Sequence, residues 1–304
     1  MPDPILIGKA FAIALAMGLA IAFVFGRSPR NAIASTGAVL ALMMAVFAGT
    51  WVLGLWPHFP PRDVLDRMLV IVLPVAAVAE LIARAAPRPG WVLRCAVAAL
   101  AAPILLYGSV YVTDLSGPGS REWPPAKTWL IYAVLAILLL SAWTAMNRLA
   151  VRTQERMPLW CVAGALMAAS AVIMLSGYAT GGQLAVPVAG GLAGVALASL
   201  AGKDSSQPNG AMGVAVVALF ALLVIGRLFA GLSDWNAGLL FVAPLMAWVP
   251  ELLPVRVRRR AMLRLLLAAA PAIVALILAQ QKFAADSGEG ASDSSVNDYL
   301  NLGK

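Results

Sequence analysis

The sequence predicts an all-α, polytopic transmembrane helix bundle of about ten crossings, and three observations carry that reading. Hydrophobic residues are 62% of the chain and charged residues 12%, at a mean hydropathy of +0.87. Soluble domains run near half apolar and a quarter charged, so the solvent around this chain is lipid. The apolar residues fall into runs of about 20, the length that crosses a bilayer core. Positive charges sit at the edges of those runs, where membrane orientation is decided. Ten crossings use roughly 200 residues, which leaves short connections and no room for a folded domain between them.

The first run, Pro4–Phe25, has Asp3 before it and Arg27 and Arg30 after it. That is the reverse of a signal peptide's charge order, and it reads as an uncleaved helix inserted with its start outward. Arg27, Pro29 and Arg30 divide it from the second run, Ala32–Trp56. Pro57, Pro60 and Pro61 then break the chain before the third, Val64–Ala86, and Pro87 and Pro89 before the fourth, Trp91–Val112. Thr128–Ala150 and Leu159–Tyr178 are the fifth and sixth. The sixth meets the seventh, Gly182–Leu200, at an uncharged turn over 176–182, the weakest junction; without it the count falls to nine. Lys203 and Pro208 precede the eighth run, Gly210–Leu232, followed by Trp235–Leu253 and Ala261–Phe283.

Charge asymmetry tests the count independently. With the amino terminus outside, the inner loops hold Arg27 and Arg30; Arg84 and Arg88; Arg148, Arg152 and Arg156; Lys203; and Arg256, Arg258, Arg259 and Arg260. The outer loops hold Arg62, Arg121, Lys127 and Arg227. This bias predicts a bacterial-type inner membrane protein with both termini outside the cytoplasm. Residues 1–283 form the helical domain, divisible into five-helix halves at 1–151 and 152–283, the second inverted. The remainder, 284–304, reads as a flexible acidic tail with Asp286, Glu289, Asp293 and Asp298. Its Tyr299–Leu302 cluster suits a partner-docking peptide or an idle end.

Composition excludes several functions. Although the net charge is +8, the positives do not cluster on one face, so no nucleic acid is expected. Cys95 and Cys161 stand alone in separate runs, and His58 is the single histidine. No catalytic residue, metal site or cofactor is expected from such a set, and the chain reads as a non-enzyme. Charges within the runs fall near their ends: Lys9, Asp66, Arg67, Arg94, Arg227, Glu251 and Arg264. Glu80 is the exception, an intramembrane carboxylate that reads either as a functional ion site or, four residues before Arg84, as an ion pair on one helix face. On the second reading the bilayer centre is electrically silent.

Two features suggest substrate handling. Gly190 and Gly194 form a small-residue face on the seventh run, suited to tight packing, to a homodimer contact or to a thin pore-lining helix with Gln183 at its mouth. Pro74, Pro103, Pro187, Pro244 and Pro271 interrupt their runs, and Pro103 and Pro244 correspond if the halves are inverted repeats. Interrupted helices at matching positions point to a midplane site. The expectation is therefore a transporter of an uncharged or lipid-like molecule, with Pro103, Tyr107, Ser109, Asn236 and Pro244 around the substrate. The alternative is a non-catalytic structural or assembly subunit of a membrane complex.

Overall fold

A computed structural model describes residues 3–27, 31–114, 120–153, 157–201, 209–253 and 257–291. Among these the regular structure is entirely helical. We number the helices α1 (Pro4–Gly26), α2 (Asn31–Val52), α3 (Val64–Ala85), α4 (Pro87–Leu106), α5 (Pro125–Thr153), α6 (Met157–Leu175), α7 (Ala179–Ala201), α8 (Asn209–Phe229), α9 (residues 234–252) and α10 (Val257–Ala291). All but α9 are long and apolar enough, among the described residues, to cross a membrane. The ninth is an interrupted helix in three parts. The protein is a multi-pass, all-α membrane bundle.

Caps set several of the starts. The Asp3 carboxylate accepts from the Ile5 N–H at 2.8 Å, ahead of Pro4, whose missing N–H costs nothing at that position. The Asp63 carboxylate likewise accepts from the Asp66 N–H at 2.7 Å. The uncharged junction after α6 forms as expected. Gly177 takes φ +95° and the Gly177 and Tyr178 N–H groups bond back to Met174 and Ile173 carbonyls, satisfying the helix end without charge. The Ser170 hydroxyl then donates to the Gly182 carbonyl at 2.7 Å, fastening α6 to α7.

Two helices depart from α geometry. In α3, Met68–Val72 is a π-helical turn just before Pro74, which has no N–H to give the ladder; the Leu73 N–H reaches back to Met68. In α9, the α-helix Asp234–Leu245 passes through a 3-10 turn, Met246–Trp248, into Val249–Leu252. Pro244 and Pro250 flank that turn. The Trp248 indole N–H anchors it by donating to the Ala145 carbonyl of α5 at 3.1 Å.

The core is organised around α8 and α7, the most buried helices, whereas α1, α5 and α10 are the least buried of the nine spans. Helix α1 lies against α7 and α2; α3, α4 and α5 pack in series and each meets α8; α6, α9 and α10 close the other side. The Gly190 and Gly194 face is used inside the chain, for tight packing against α1. A Cβ on Gly190 would stand 2.8 Å from the Phe11 carbonyl oxygen, and one on Gly194 would stand 2.7 Å from the Leu19 nitrogen. With α1 seated there, that face is not open to a homodimer contact or a pore. Because the obstacles are backbone atoms, Gly194→Ala is expected to cost about 1–3 kcal/mol. An unchanged melting temperature in mild detergent would contradict this packing.

The helices also correct the expected boundaries. Helix α4 begins at Pro87 and ends at Leu106, not at Val112, and α10 begins at Val257. The expected tail is helical as far as Ala291. Residues 292–304, including Tyr299–Leu302, lie outside the described residues, as do Arg30, Arg156, Lys203 and Arg256.

Candidate functional site

The helices that carry Pro103 and Pro244 are not main packing neighbours of each other. Pro103 lies in the last turn of α4, not at its middle, while Pro244 sits at the break of α9. Helix α4 packs mainly on α3 and α5, and α9 mainly on α10, α6 and α8, so the two prolines do not share an interface. Tyr107 is 74% exposed, and its carbonyl accepts from the Arg67 guanidinium, which also donates to the Leu105 carbonyl at 3.3 Å and so caps α4. Ser109 and Asn236 are buried, and the Ser109 Oγ and Asn236 Oδ1 have no hydrogen-bond partner among the described residues.

Glu80 is fully buried and is the centre of a polar cluster drawn from three helices and closed by a fourth. One carboxylate oxygen accepts from the Trp143 indole N–H and, at 3.0 Å, from the Asn147 amide, both on α5. The other accepts from Arg94 of α4 at 2.7 Å. Arg84, the expected helix-face partner, stands at 4.0 Å. The pair read from i, i+4 spacing is thus secondary to a tertiary one. Arg94 also lies 5.9 Å from the centre of the Trp143 ring, a cation–π distance. On the fourth side, Gly213 of α8 has no Cβ because one would overlap the Glu80 carboxylate and the Trp143 indole nitrogen.

Charge therefore enters the bundle by about two helical turns from one end. Glu80 lies five residues before the end of α3, roughly 8 Å below it. Arg94 is the eighth residue of α4, two turns deep. Arg264, expected at the start of its helix, is likewise eight residues into α10; it is 1% exposed and paired with Glu251 of α9. Both pairs lie towards the end of the bundle where the sequence places its positive charge.

Beside the Glu80 cluster opens a cavity of about 690 Å³, lined by Arg84, Trp91, Arg94, Thr144, Asn147, Arg148, Val151, Arg152 and Trp248. Its size falls within the roughly 300–1,000 Å³ of small-molecule sites. Four guanidinium groups line it, and Glu80 pairs with two of them, Arg94 and Arg84. Arg84 and Arg94 retain about a fifth of their side-chain exposure, while Arg148 and Arg152 are exposed. The cavity thus grades from a buried ion pair to exposed positive charge, and two tryptophans line it.

The same face of α5 continues away from the cavity as an apolar strip. Arg148, Thr144, Ser141, Ile137, Val134 and Leu130 recur at three- and four-residue steps, which places them one above another. Ile137, Val134 and Leu130 are 68%, 47% and 65% exposed. Sequence reasoning found Glu80, Arg84, Arg148 and Arg152 but missed Arg94, Asn147, Trp143 and Gly213 as their partners. The signal available for Arg94 was Pro87, a residue suited to opening a helix.

No protein-family model, curated protein or solved structure matches this chain.

Proposed function

We propose that this chain is a non-enzymatic inner-membrane protein that binds and moves a lipid-like molecule with an anionic head, and that the arginine-lined cavity is the head-group site. The four guanidinium groups lining one cavity, of which Glu80 pairs with Arg94 and Arg84 alone, carry this reading. Guanidinium groups suit phosphate and carboxylate recognition because their fixed donors match oxyanion geometry. The exposed apolar strip of α5 supplies a track for acyl chains directly below the head. An uncharged cargo, half of the expectation from sequence, gives these arginines nothing to do and is set aside. The positive-inside tendency places the cavity at the cytoplasmic leaflet, with both termini outside, where anionic lipids are met. The interrupted α9, whose Trp248 forms part of the cavity wall, is the hinge that would let the head pass.

The test is lipid selectivity. Full-length protein in nanodiscs of mixed phosphatidylcholine and phosphatidylglycerol should enrich the anionic lipid in its retained annulus, read by mass spectrometry. Equal retention of the two would remove the reading. The second reading, a non-catalytic complex subunit, draws support from α5 and α10, which leave most of their surface outside the bundle. Foreign chains that stay bound in mild detergent, without anionic lipid enrichment, would favour it.

A further inference from the structure

Three buried polar atoms without hydrogen-bond partners among the described residues belong to side chains that line the cavity: the Arg84 Nε and the Arg94 Nε, both donors, and the Asn147 Oδ1, an acceptor. Arg94 and Asn147 meet at the Glu80 carboxylate. Buried polar atoms are nearly always hydrogen-bonded, so each such exception asks for a reason. The Asn147 amide has no freedom to turn over. Its Nδ2 donates to the Glu80 carboxylate, which only accepts when ionised, so the oxygen is forced to the opposite side of the amide. Asn147 is 9% exposed, and a Glu80 held by Arg94 and Trp143 keeps it in place. Arg94 is similarly constrained, because its Nη2 is committed to Glu80 while its buried Nε has no partner among the described residues.

We infer that the cavity selects a phosphodiester lipid whose head group carries a free hydroxyl: the phosphate lies against the arginines and the hydroxyl donates to the Asn147 Oδ1. This rests on the proposed reading of the cavity as an anionic lipid site. A head that parts the Arg94 and Asn147 side chains meets a cationic donor and a neutral acceptor side by side. A carboxylate or bare phosphate dianion satisfies the donor and leaves the acceptor unpaired. A quaternary ammonium head brings a positive charge among guanidinium groups and has no N–H or O–H for Asn147. A phosphodiester with a hydroxylated head satisfies both atoms at once. Thr144, also in the lining, can serve a second hydroxyl.

The experiment compares two lipids of equal charge. Phosphatidylglycerol and phosphatidylethanol each carry one negative charge, and the first has head-group hydroxyls where the second has none. In phosphatidylcholine nanodiscs holding the full chain, phosphatidylglycerol should bind roughly three- to tenfold tighter, the worth of one buried hydrogen bond. The preference should vanish in Asn147→Leu, whatever that variant does to absolute affinity. Should Asn147→Leu fail to fold, the comparison on the parent protein still decides. Equal binding of the two anionic lipids, both above phosphatidylcholine, overturns the hydroxyl assignment and leaves the anionic-lipid reading standing. Binding of neither above phosphatidylcholine overturns both. Competition by millimolar glycerol phosphate would show that a soluble phosphate is the ligand, and would overturn the lipid source. Preference surviving in a folded Asn147→Leu variant overturns the role of Asn147.

Discussion

Glu80→Ala will destabilise the bundle by about 3–5 kcal/mol, the usual cost of removing one partner from a buried ion pair. The carboxylate serves donors from two helices: Trp143 and Asn147 of α5, and Arg94 of α4. Truncation leaves a guanidinium, an indole N–H and an amide without an acceptor in a site closed by α8. The indole and the amide have little water to turn to, because Trp143 is 0% exposed and Asn147 is 9% exposed. Glu80→Gln should fall between parent and Ala, since its amide oxygen still serves Trp143 while its amide nitrogen faces Arg94 donor to donor. Glu80→Met combined with Arg94→Met should recover part of the loss by removing both charges together. Denaturant-induced unfolding in mild detergent, followed by circular dichroism, measures all three. A Glu80→Ala protein within about 1 kcal/mol of the parent would show that Glu80 is not the hub described above.

Helix α8 gives an independent check on the same cluster. Gly213→Ala pushes a methyl group into the space of the carboxylate without touching any charge. It is expected to cost about 1–3 kcal/mol, as overpacking does. Its effect should shrink in the Glu80→Ala background, where the clash has gone. Additive losses would mean that the two residues do not meet.

How much of this is legible in the sequence depends on the range of the interaction. Runs of apolar residues, glycine and proline punctuation and edge charges are local, and they gave the crossing order and even the uncharged turn at Gly177. The i, i+4 spacing of Glu80 and Arg84 is equally local, yet it named the lesser partner. Arg94 and Trp143 lie 14 and 63 residues away along the chain, and only tertiary packing brings them in. Arg94 was further hidden by reading Pro87 and Pro89 solely as breakers. Proline in a helix's first turn gives up no hydrogen bond, so α4 starts there and carries Arg94 two turns inward. Pro103 failed for the mirror reason. The run of apolar residues continues to Val112, but the helix stops at Leu106 ahead of Gly108 at φ +69°, which moves the proline into the last turn. Hydropathy records where lipid is tolerated, and it does not record where the backbone ladder ends.

The largest effect on binding should come from Arg148 and Arg152 together. Both are exposed on α5 in the lining of the cavity, and the Glu80 carboxylate is paired with Arg94 and Arg84 instead. Arg148→Gln with Arg152→Gln should therefore leave the unfolding midpoint unchanged, in contrast to Glu80→Ala. Each positive charge near a membrane surface contributes about 1 kcal/mol towards anionic lipid, so the pair is worth roughly 2 kcal/mol, or about 30-fold in affinity. Affinity for phosphatidylcholine should not move. Lysine at both positions should restore most of the loss, with the remainder reflecting the forked guanidinium geometry that an ammonium lacks. Raising the salt concentration should weaken the parent more than the double variant, because the exposed charges are the screened ones and Arg94, half enclosed and paired, is not. A double variant that binds anionic lipid as the parent does would place the ligand elsewhere, and would reduce the cavity to a solvated mouth over a structural ion pair.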